Sequence, residues 1–200
     1  MPKAHDSIAA GPPEAICLAC GLCCDGTLFG DVRLQPGDDP AAFKALGLPV
    51  AAPPRARGEV SKAASRGKVG TKIPIPGAKL VQPCAAFDGC RCRIYSSRPI
   101  YCREFECALL KKAKAGEVSA PDALRIIRKS RRRVEAVLAM LRELGDDDEG
   151  RPLAARFRRI TRRMESSELT PERAESYGRL TLAFQDLMIL VLSREFYPGS

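Results

Sequence analysis

Two groups of closely spaced cysteines constrain the fold of this chain more than any other feature. The first group is the run CxxCxxCC at residues 17–24, and the second is a set of five cysteines within residues 84–107. Cysteines at two-residue spacing can wrap one metal centre, as in zinc knuckles and bacterial ferredoxins. Inert buried cysteines have no reason to fall into such regular spacings. The pattern therefore predicts ligation of a metal by sulfur and leaves zinc and iron as alternatives.

The adjacent pair Cys23 and Cys24 limits how the first group can bind. Neighbouring side chains of an extended chain point apart, so one tetrahedral centre is not expected to take both sulfurs. We expect two different metals, or one metal and a structural or reactive role. The first group should then depend on sulfurs of the second group. Gly21 and Gly26 are expected to supply positive φ and close backbone approach in this turn.

The compartment decides whether these cysteines bind metal or form disulfides. The N-terminus has no apolar segment followed by a small-residue cleavage site, and no apolar run is long enough to span a bilayer. We therefore expect a cytoplasmic protein without a membrane partner, in which disulfides are not the main role of cysteine. His5 is the one histidine in the chain, and we interpret it as an ordinary surface residue.

The chain carries a formal net charge of +9, which raises the possibility of a nucleic-acid partner. Eight thiolates holding two zinc ions would contribute about −4 and leave about +5, because metal ligands are deprotonated. Several cations gather on one side of a predicted helix: Arg125, Arg128, Lys129, Arg132 and Arg133. No aromatic residues are interleaved with them for base stacking, so we interpret them as a solvated face.

The pattern divides the chain into a disordered N-terminus at 1–16, a cysteine-cluster metal-binding module at 17–110 and a C-terminal helical region at 118–197. Within the module we expect a strand through Val32 and Leu34, a helix over 39–46 and a long exposed loop over 51–79. The loop should end in an edge strand, because Pro74 and Pro76 exclude a central one. The predicted fold is α-rich with minor irregular β, a small cysteine-ligated metal module packed against a C-terminal helical bundle.

Three helices are predicted in the C-terminal region. The first is capped by Ser119 and ends near Gly145, the second begins near Pro152, and the third begins at Thr170-Pro171. An acidic run, DDDE, should form the loop after Gly145. In the second helix, Arg156, Arg159, Arg162 and Arg163 are expected to surround an apolar face. The second half of the third helix is apolar nearly all round, which predicts the most buried helix.

The combination of CxxCGxCC at 17–24 with CxIYxxRPxxCRxFxC at 92–107 resembles the YkgJ-like CxxCxxCC cysteine-cluster family, described as zinc- or iron-chelating domains. The resemblance covers residues 17–110 and leaves the C-terminal helices outside its motifs. It implies these metal ligands: Cys17, Cys20, Cys23, Cys24, Cys84, Cys92, Cys102 and Cys107. Cys90 departs from the family pattern, as a spare thiol or an alternative to Cys92. A further similarity, to the cysteine-rich part of flagellin lysine methylase, suggests a link to methyl transfer.

The motif also contains residues that would surround the metal ligands. Arg98 and Arg103 could donate hydrogen bonds to thiolates or inorganic sulfur, and surface ion pairing with Glu104 or Glu106 is their alternative role. We expect Tyr95 and Phe105 to pack over the site and exclude water.

The leading functional prediction is chelation of zinc or iron through this two-part cysteine cluster. Metal binding should supply part of the folding free energy, on the order of 10 kcal/mol for a structural zinc. One alternative is an iron–sulfur protein in electron transfer or redox-assisted chemistry. Another is a zinc-stapled module that binds nucleic acid or an acidic protein. Phosphate-loop, dinucleotide and HExxH signatures are missing from the sequence, so an enzyme of this kind would have to use the metal centre itself.

Overall fold

The structure, a computed structural model, describes residues 13–52, 77–89 and 91–197 and is α-rich with one small sheet, as predicted. The α-helices in these ranges are α1 Pro13–Cys20, α2 Pro40–Ala45, α3 Ile100–Glu104, α4 Ala108–Lys114, α5 Ala120–Glu143, α6 Leu153–Glu165 and α7 Pro171–Asp186. A 3₁₀ turn at Tyr95–Ser97 precedes α3, and a π-helical segment at Leu187–Ser193 continues α7. Across these residues, no helix has both the length and the apolar character needed to cross a membrane.

The sheet has three short antiparallel strands, β1 Asp31–Arg33, β2 Val50–Ala51 and β3 Lys79–Val81, in the order β1-β3-β2. Leu80 at its centre is paired with Val32 on one side and Val50 on the other. The prediction of an edge strand was wrong, because β3 begins after the prolines and all three of its residues can pair. Pro74 and Pro76 lie outside the described residues.

The predicted helix boundaries in the C-terminal region are confirmed. The Ser119 hydroxyl accepts a hydrogen bond from the Asp122 N–H at 3.3 Å, and the Thr170 hydroxyl accepts one from the Arg173 N–H at 3.4 Å. These are the contacts that make serine and threonine good N-caps. Gly145, with φ of +83°, follows the end of α5. At the other end of the chain, α1 includes residues 13–16, which were assigned to the disordered N-terminus; residues 1–12 lie outside the description.

The prediction that the end of the third helix is the most buried part was wrong. Leu182, Ile189 and Leu190 are 67%, 61% and 50% exposed. One side of this segment packs into the core through residues such as Leu187 and Leu192, while its other side is left uncovered by the described chain. Apolar residues all round a helix therefore did not mean burial all round.

Arg156 also differs from its predicted place on the surface of α6. Its side chain is buried, and its Nε donates to Oδ2 of buried Asp146 at 2.5 Å. Arg159 donates to the other oxygen of Asp146 at 2.7 Å and also pairs with Asp147. The acidic loop after α5 is thus neutralised by arginines of α6, because a buried carboxylate needs a cationic partner.

Two apolar cores organise the molecule. The larger core joins α5, α6 and α7 to residues of the first cysteine group's segment, including Ile16, Cys20 and Leu22. The smaller core is formed by residues around the sheet: Val32, Phe43, Leu48, Leu80 and Ala86. The cysteine run therefore packs directly into the helical core, with α1 lying against α5 and α4.

Candidate metal centre

The eight described cysteines are all free thiols, and Cys90 lies outside the described residues. Their packing differs between the two parts of the chain. Cys20, Cys23 and Cys107 pack in or against the larger core. The remaining described members of the second cysteine group, Cys84, Cys92 and Cys102, pack against the smaller core. The thiols thus meet at the boundary between the two cores.

A first set of thiols is defined by the effect that its members have on one another's pKa values. It consists of Cys17, Cys20, Cys23 and Cys107. Burial raises the pKa of each of these four thiols. Cys107 lies close enough to raise the pKa of the other three further. The other three thiols of the set each raise the pKa of Cys23 more than its neighbour in sequence, Cys24, does. The first set therefore joins three sulfurs of the first group to the last sulfur of the second group.

The other four thiols form a second set, which consists of Cys24, Cys84, Cys92 and Cys102. Burial raises the pKa of Cys24 to about 12, with further contributions from the other three members of this set and then from Cys17. Burial likewise raises the pKa of Cys102 to about 12, followed by contributions from Cys84 and Cys92. Contributions of this kind come from thiols that lie near one another. The adjacent residues Cys23 and Cys24 therefore belong to different sets.

All four thiols of each set border one cavity, and Cys17, Cys23 and Cys24 border both cavities. A cavity of about 50 Å³ is lined by all four thiols of the first set and by Cys24. A second cavity of about 90 Å³ is lined by all four thiols of the second set, together with Cys17 and Cys23. Phe105 borders both cavities. The two cavities are therefore neighbours, divided near Cys23, Cys24 and this ring.

The turn after α1 explains how adjacent cysteines diverge. The carbonyl of Gly21 accepts hydrogen bonds from the N–H groups of Cys24 and Asp25, at 2.8 and 3.0 Å. Gly21 has φ of +70°, as predicted, and a Cβ at this position would lie 2.5 Å from Cζ of Phe87. The N–H of Cys84 donates to the carbonyl of Cys24 at 2.8 Å, which joins the two cysteine groups through the backbone.

Short-range backbone contacts place the thiols of the second group. Phe87 donates its N–H to the Cys84 carbonyl at 2.9 Å and forms a β-bridge with Cys92. Asp38 accepts from the Ile100 N–H at 2.9 Å and so fixes the start of α3, which carries Cys102. Asp38 was not predicted as a site residue, and its capping partner lies 62 residues away in sequence. No local pattern could have indicated that contact.

Cys107 occupies the N-cap position of α4. Its Sγ accepts a hydrogen bond from the Leu110 N–H at 3.4 Å. Burial is the largest influence and raises the Cys107 pKa, whereas the backbone N–H groups of Leu110 and Leu109 oppose that rise. A thiolate at this position would be stabilised by the same N–H groups, since helix N-termini favour negative charge.

Two arginines contact the region of the thiols. Arg98 opposes the burial-driven rise in the pKa of both Cys17 and Cys102, one thiol from each set. Its Cζ lies 3.8 Å from the ring centroid of Tyr95, and its Nε donates to the Tyr95 carbonyl at 3.0 Å. Arg131, which was not predicted, donates through Nη1 to the Cys20 carbonyl at 2.6 Å. Position 131 lies four residues after buried Ile127 and three before buried Val134, on the same face of the helix. This spacing is the sequence signal from which the inward position of Arg131 could have been predicted.

The other predicted residues around the site differ in their placement. Arg103 is exposed, and within the described ranges its side chain makes no hydrogen bond or ion pair. Tyr95 borders the second set's cavity but remains 40% exposed. Phe105 is half-buried and packs edge-on against Phe29, with ring centroids 4.9 Å apart, and stacks with Tyr101. Of the two predicted covering residues, Phe105 is the more enclosed.

Gln82 is a further residue that the sequence did not indicate. It is 2% exposed and borders the cavity of the second set. Its Oε1 has no hydrogen-bond partner within the described residues. A buried side-chain oxygen without a hydrogen-bond partner is rare in folded proteins, and here it lies beside the thiols of the second set.

Within the described residues, no three His, Cys, Asp or Glu side chains form a group that could hold a metal ion as they stand. The sulfurs line the two cavities and do not converge on a common point. Cysteine has one side-chain rotor between its backbone and its sulfur, so rotation about χ1 is the movement by which these sulfurs can turn toward one another.

Comparison with known proteins gives no relative for this chain. No family model matches it, and neither a curated protein nor a solved structure is significantly similar to it. The resemblance to the YkgJ-like cysteine-cluster family therefore stays a prediction that rests on the spacing of the motif residues.

Proposed function

We propose that this protein binds metal through two separate four-thiolate centres, one formed by the first set of cysteines and one by the second set. The observation that carries the proposal is the division of eight free thiols into two groups of four around two adjacent cavities. Cys23 belongs to one group and Cys24 to the other. This division gives each centre the ligand number of a closed structural zinc site.

The chemistry of the donors fits zinc. Each set has four sulfurs, the Cys₄ composition of structural zinc sites, and no histidine or carboxylate of the described residues lines either cavity. A [4Fe–4S] core would place four irons and four sulfides between the same four thiolates and needs more room than a single ion. We propose one ion, the smaller of the two occupants, for each set. Iron bound singly by four thiolates is the alternative that fits the same donors.

Two cations lie near the thiols and could offset part of the charge of metal-bound thiolates. Arg98 lies near one thiol of each set, and Lys114 lies near Cys17. The oxygen and nitrogen of a glutamine amide exchange places when the amide turns over. With its NH₂ in the place of the unpaired oxygen, Gln82 could donate a hydrogen bond to a thiolate of the second set. Donors of this kind orient metal ligands and tune their charge.

The second interpretation, a module that binds nucleic acid, receives less support. In α6, Arg156 and Arg159 are engaged by Asp146, and Arg163 donates to carbonyls at the end of α5. These cations stabilise the loop between α5 and α6 and are not free to contact phosphate.

We place the protein in the cytoplasm, where a reducing environment keeps thiols available for metal.

The test is elemental analysis of protein purified without air, combined with an absorption spectrum. The proposal predicts about two zinc ions per chain and no visible absorption. Iron with inorganic sulfide and a brown colour would instead support an iron–sulfur protein. A metal content near zero in protein purified from metal-supplemented cells would contradict the proposal, and so would a single ion per chain.

A further inference from the structure

A groove that none of the described thiols lines lies between α5 and the π-helical segment that continues α7. Its volume is about 340 Å³. The α5 side contributes residues 126, 129, 130 and 133, which share one helical face. The other side contributes residues 190, 191, 194 and 195 of the C-terminal segment. We refer to this concavity as the α5 groove.

The α5 groove combines free positive charge with exposed apolar surface. Lys129, Arg133 and Arg194 border it, are exposed, and make no side-chain hydrogen bond or ion pair within the described residues. Leu190 borders it and is 50% exposed, and Ile189 beside it is 61% exposed. Exposed leucine and isoleucine next to each other cost free energy in water, so such surfaces often mark docking sites.

The backbone at the groove is itself unusual. Residues Leu187–Ser193 form a π-helix, a rare conformation that occurs frequently at functional sites. Its wider turn follows a regular α-helix, α7, and it holds Val191 and Leu192 in the core while Ile189 and Leu190 face outward. The rare segment and the exposed apolar pair therefore coincide.

We propose that the α5 groove binds an acidic amphipathic helix of a partner protein. Three unpaired cations against the one acid of the groove, Glu195, select a negatively charged ligand. The aliphatic wall selects apolar side chains at helical spacing, which is how helix-in-groove interfaces are anchored. The chain's own segment at 53–76 is an unsuitable occupant, because it contains six basic residues and one acidic residue.

Nucleic acid and membrane fit the groove less well. No aromatic side chain of the described residues borders it, so bases would have no stacking surface. A bilayer is approached by projecting surfaces, whereas this surface is concave between two helices and carries Glu195. An acidic helix meets both the apolar and the cationic walls at once.

The test uses the metal-loaded protein and a fluorescein-labelled peptide that places leucines along one helical face and glutamates elsewhere. We expect binding by fluorescence anisotropy, and a dissociation constant raised at least about tenfold in Lys129→Glu/Arg133→Glu. Leu190→Ser should weaken binding at unchanged salt dependence, because it removes an apolar contact. Arg128→Glu is the control: it reverses a charge on the same helix outside the groove, and it should weaken binding clearly less than the groove variant does.

Circular dichroism of each variant establishes that these exposed substitutions leave the helices intact. A control peptide with glutamine in place of glutamate should bind more weakly, since the groove is cationic. Equal loss in Arg128→Glu, or equal binding of the glutamine peptide, would overturn the proposal. It would also be overturned if DNA or phosphatidylserine vesicles bound through Lys129 and Arg133 while the acidic peptide did not.

Discussion

Replacement of Gly21 by alanine should disturb both sets of thiols, the second through Phe87 and the first through Arg131. Gly21 has φ of +70°, a conformation that costs a non-glycine residue roughly 1–2 kcal/mol. An added Cβ would also lie 2.5 Å from Cζ of Phe87 and 3.2 Å from Nη1 of Arg131. Overpacking of this kind typically costs about 1–3 kcal/mol. The expected loss of stability for Gly21→Ala is therefore about 2–5 kcal/mol.

A second glycine in the chain allows the two contributions to be separated. Gly47 has φ of +79°, and a Cβ added there would meet no atom of the described residues within 4 Å. Gly47→Ala should therefore lose only the conformational part, about 1–2 kcal/mol. The difference between the two variants measures the clash with Phe87. In a Phe87→Leu background, which shortens the side chain that is struck, Gly21→Ala should cost close to the Gly47→Ala value.

The assay is urea unfolding of the metal-loaded variants, together with the rate of zinc release to a chromophoric chelator. Phe87 is hydrogen-bonded through its backbone to Cys84 and forms a β-bridge with Cys92. Gly21→Ala should therefore speed zinc release, whereas Gly47→Ala should not. Equal destabilisation by the two substitutions would refute the argument that the close approach of Gly21 to Phe87 holds the sites together.

Three further predictions follow from other parts of the structure. Burial raises the pKa of Cys24 and Cys102 to about 12, so metal-free protein should lose stability between pH about 9 and 12, where the thiols of the unfolded chain ionise first. Metal-loaded protein should instead lose stability on acidification, because protons compete with the metal for the thiolates. Urea unfolding midpoints measured across pH would reveal both trends. Asp146→Ala should cost about 3–5 kcal/mol, because it leaves Arg156 buried without its carboxylate partner. Asp122→Ala removes an exposed ion pair with Arg125 and a hydrogen bond from the Ser119 hydroxyl, and should cost at most about 1 kcal/mol. Similar losses for the two variants in chemical denaturation would contradict this reasoning. Cys90→Ser should leave the zinc content unchanged, whereas Cys102→Ser should lower it. An equal loss of zinc from the two variants in elemental analysis would contradict the interpretation of Cys90 as a spare thiol.

The helical part of the fold could be predicted because its signals are local. Ser119 and Thr170 act as caps through contacts three residues away, and Gly145 ends α5 through its own backbone conformation. The exposure of Ile189 and Leu190 could not be predicted in this way. An apolar segment contains no local information about whether a neighbouring element covers each of its sides.

The site was partly predictable for the same reason. The need for Cys23 and Cys24 to diverge could be predicted from their adjacency, although the structure separates them through the turn at Gly21 and not through an extended segment. The membership of Cys107 in the first set, and of Cys84 in the second, depends on contacts between distant parts of the chain. Asp38 and Gln82 are set by the same long-range packing, which spacing alone does not encode.

The most direct test of two separate centres is the zinc content of two double variants, measured by elemental analysis. Cys20→Ser/Cys23→Ser removes two ligands from the first set alone, and the protein should retain about one zinc ion per chain. Cys23→Ser/Cys24→Ser removes one ligand from each set and should lower the content of both centres, well below that of the first variant. Equal zinc contents in the two double variants would contradict the division of the eight thiols into two sets of four.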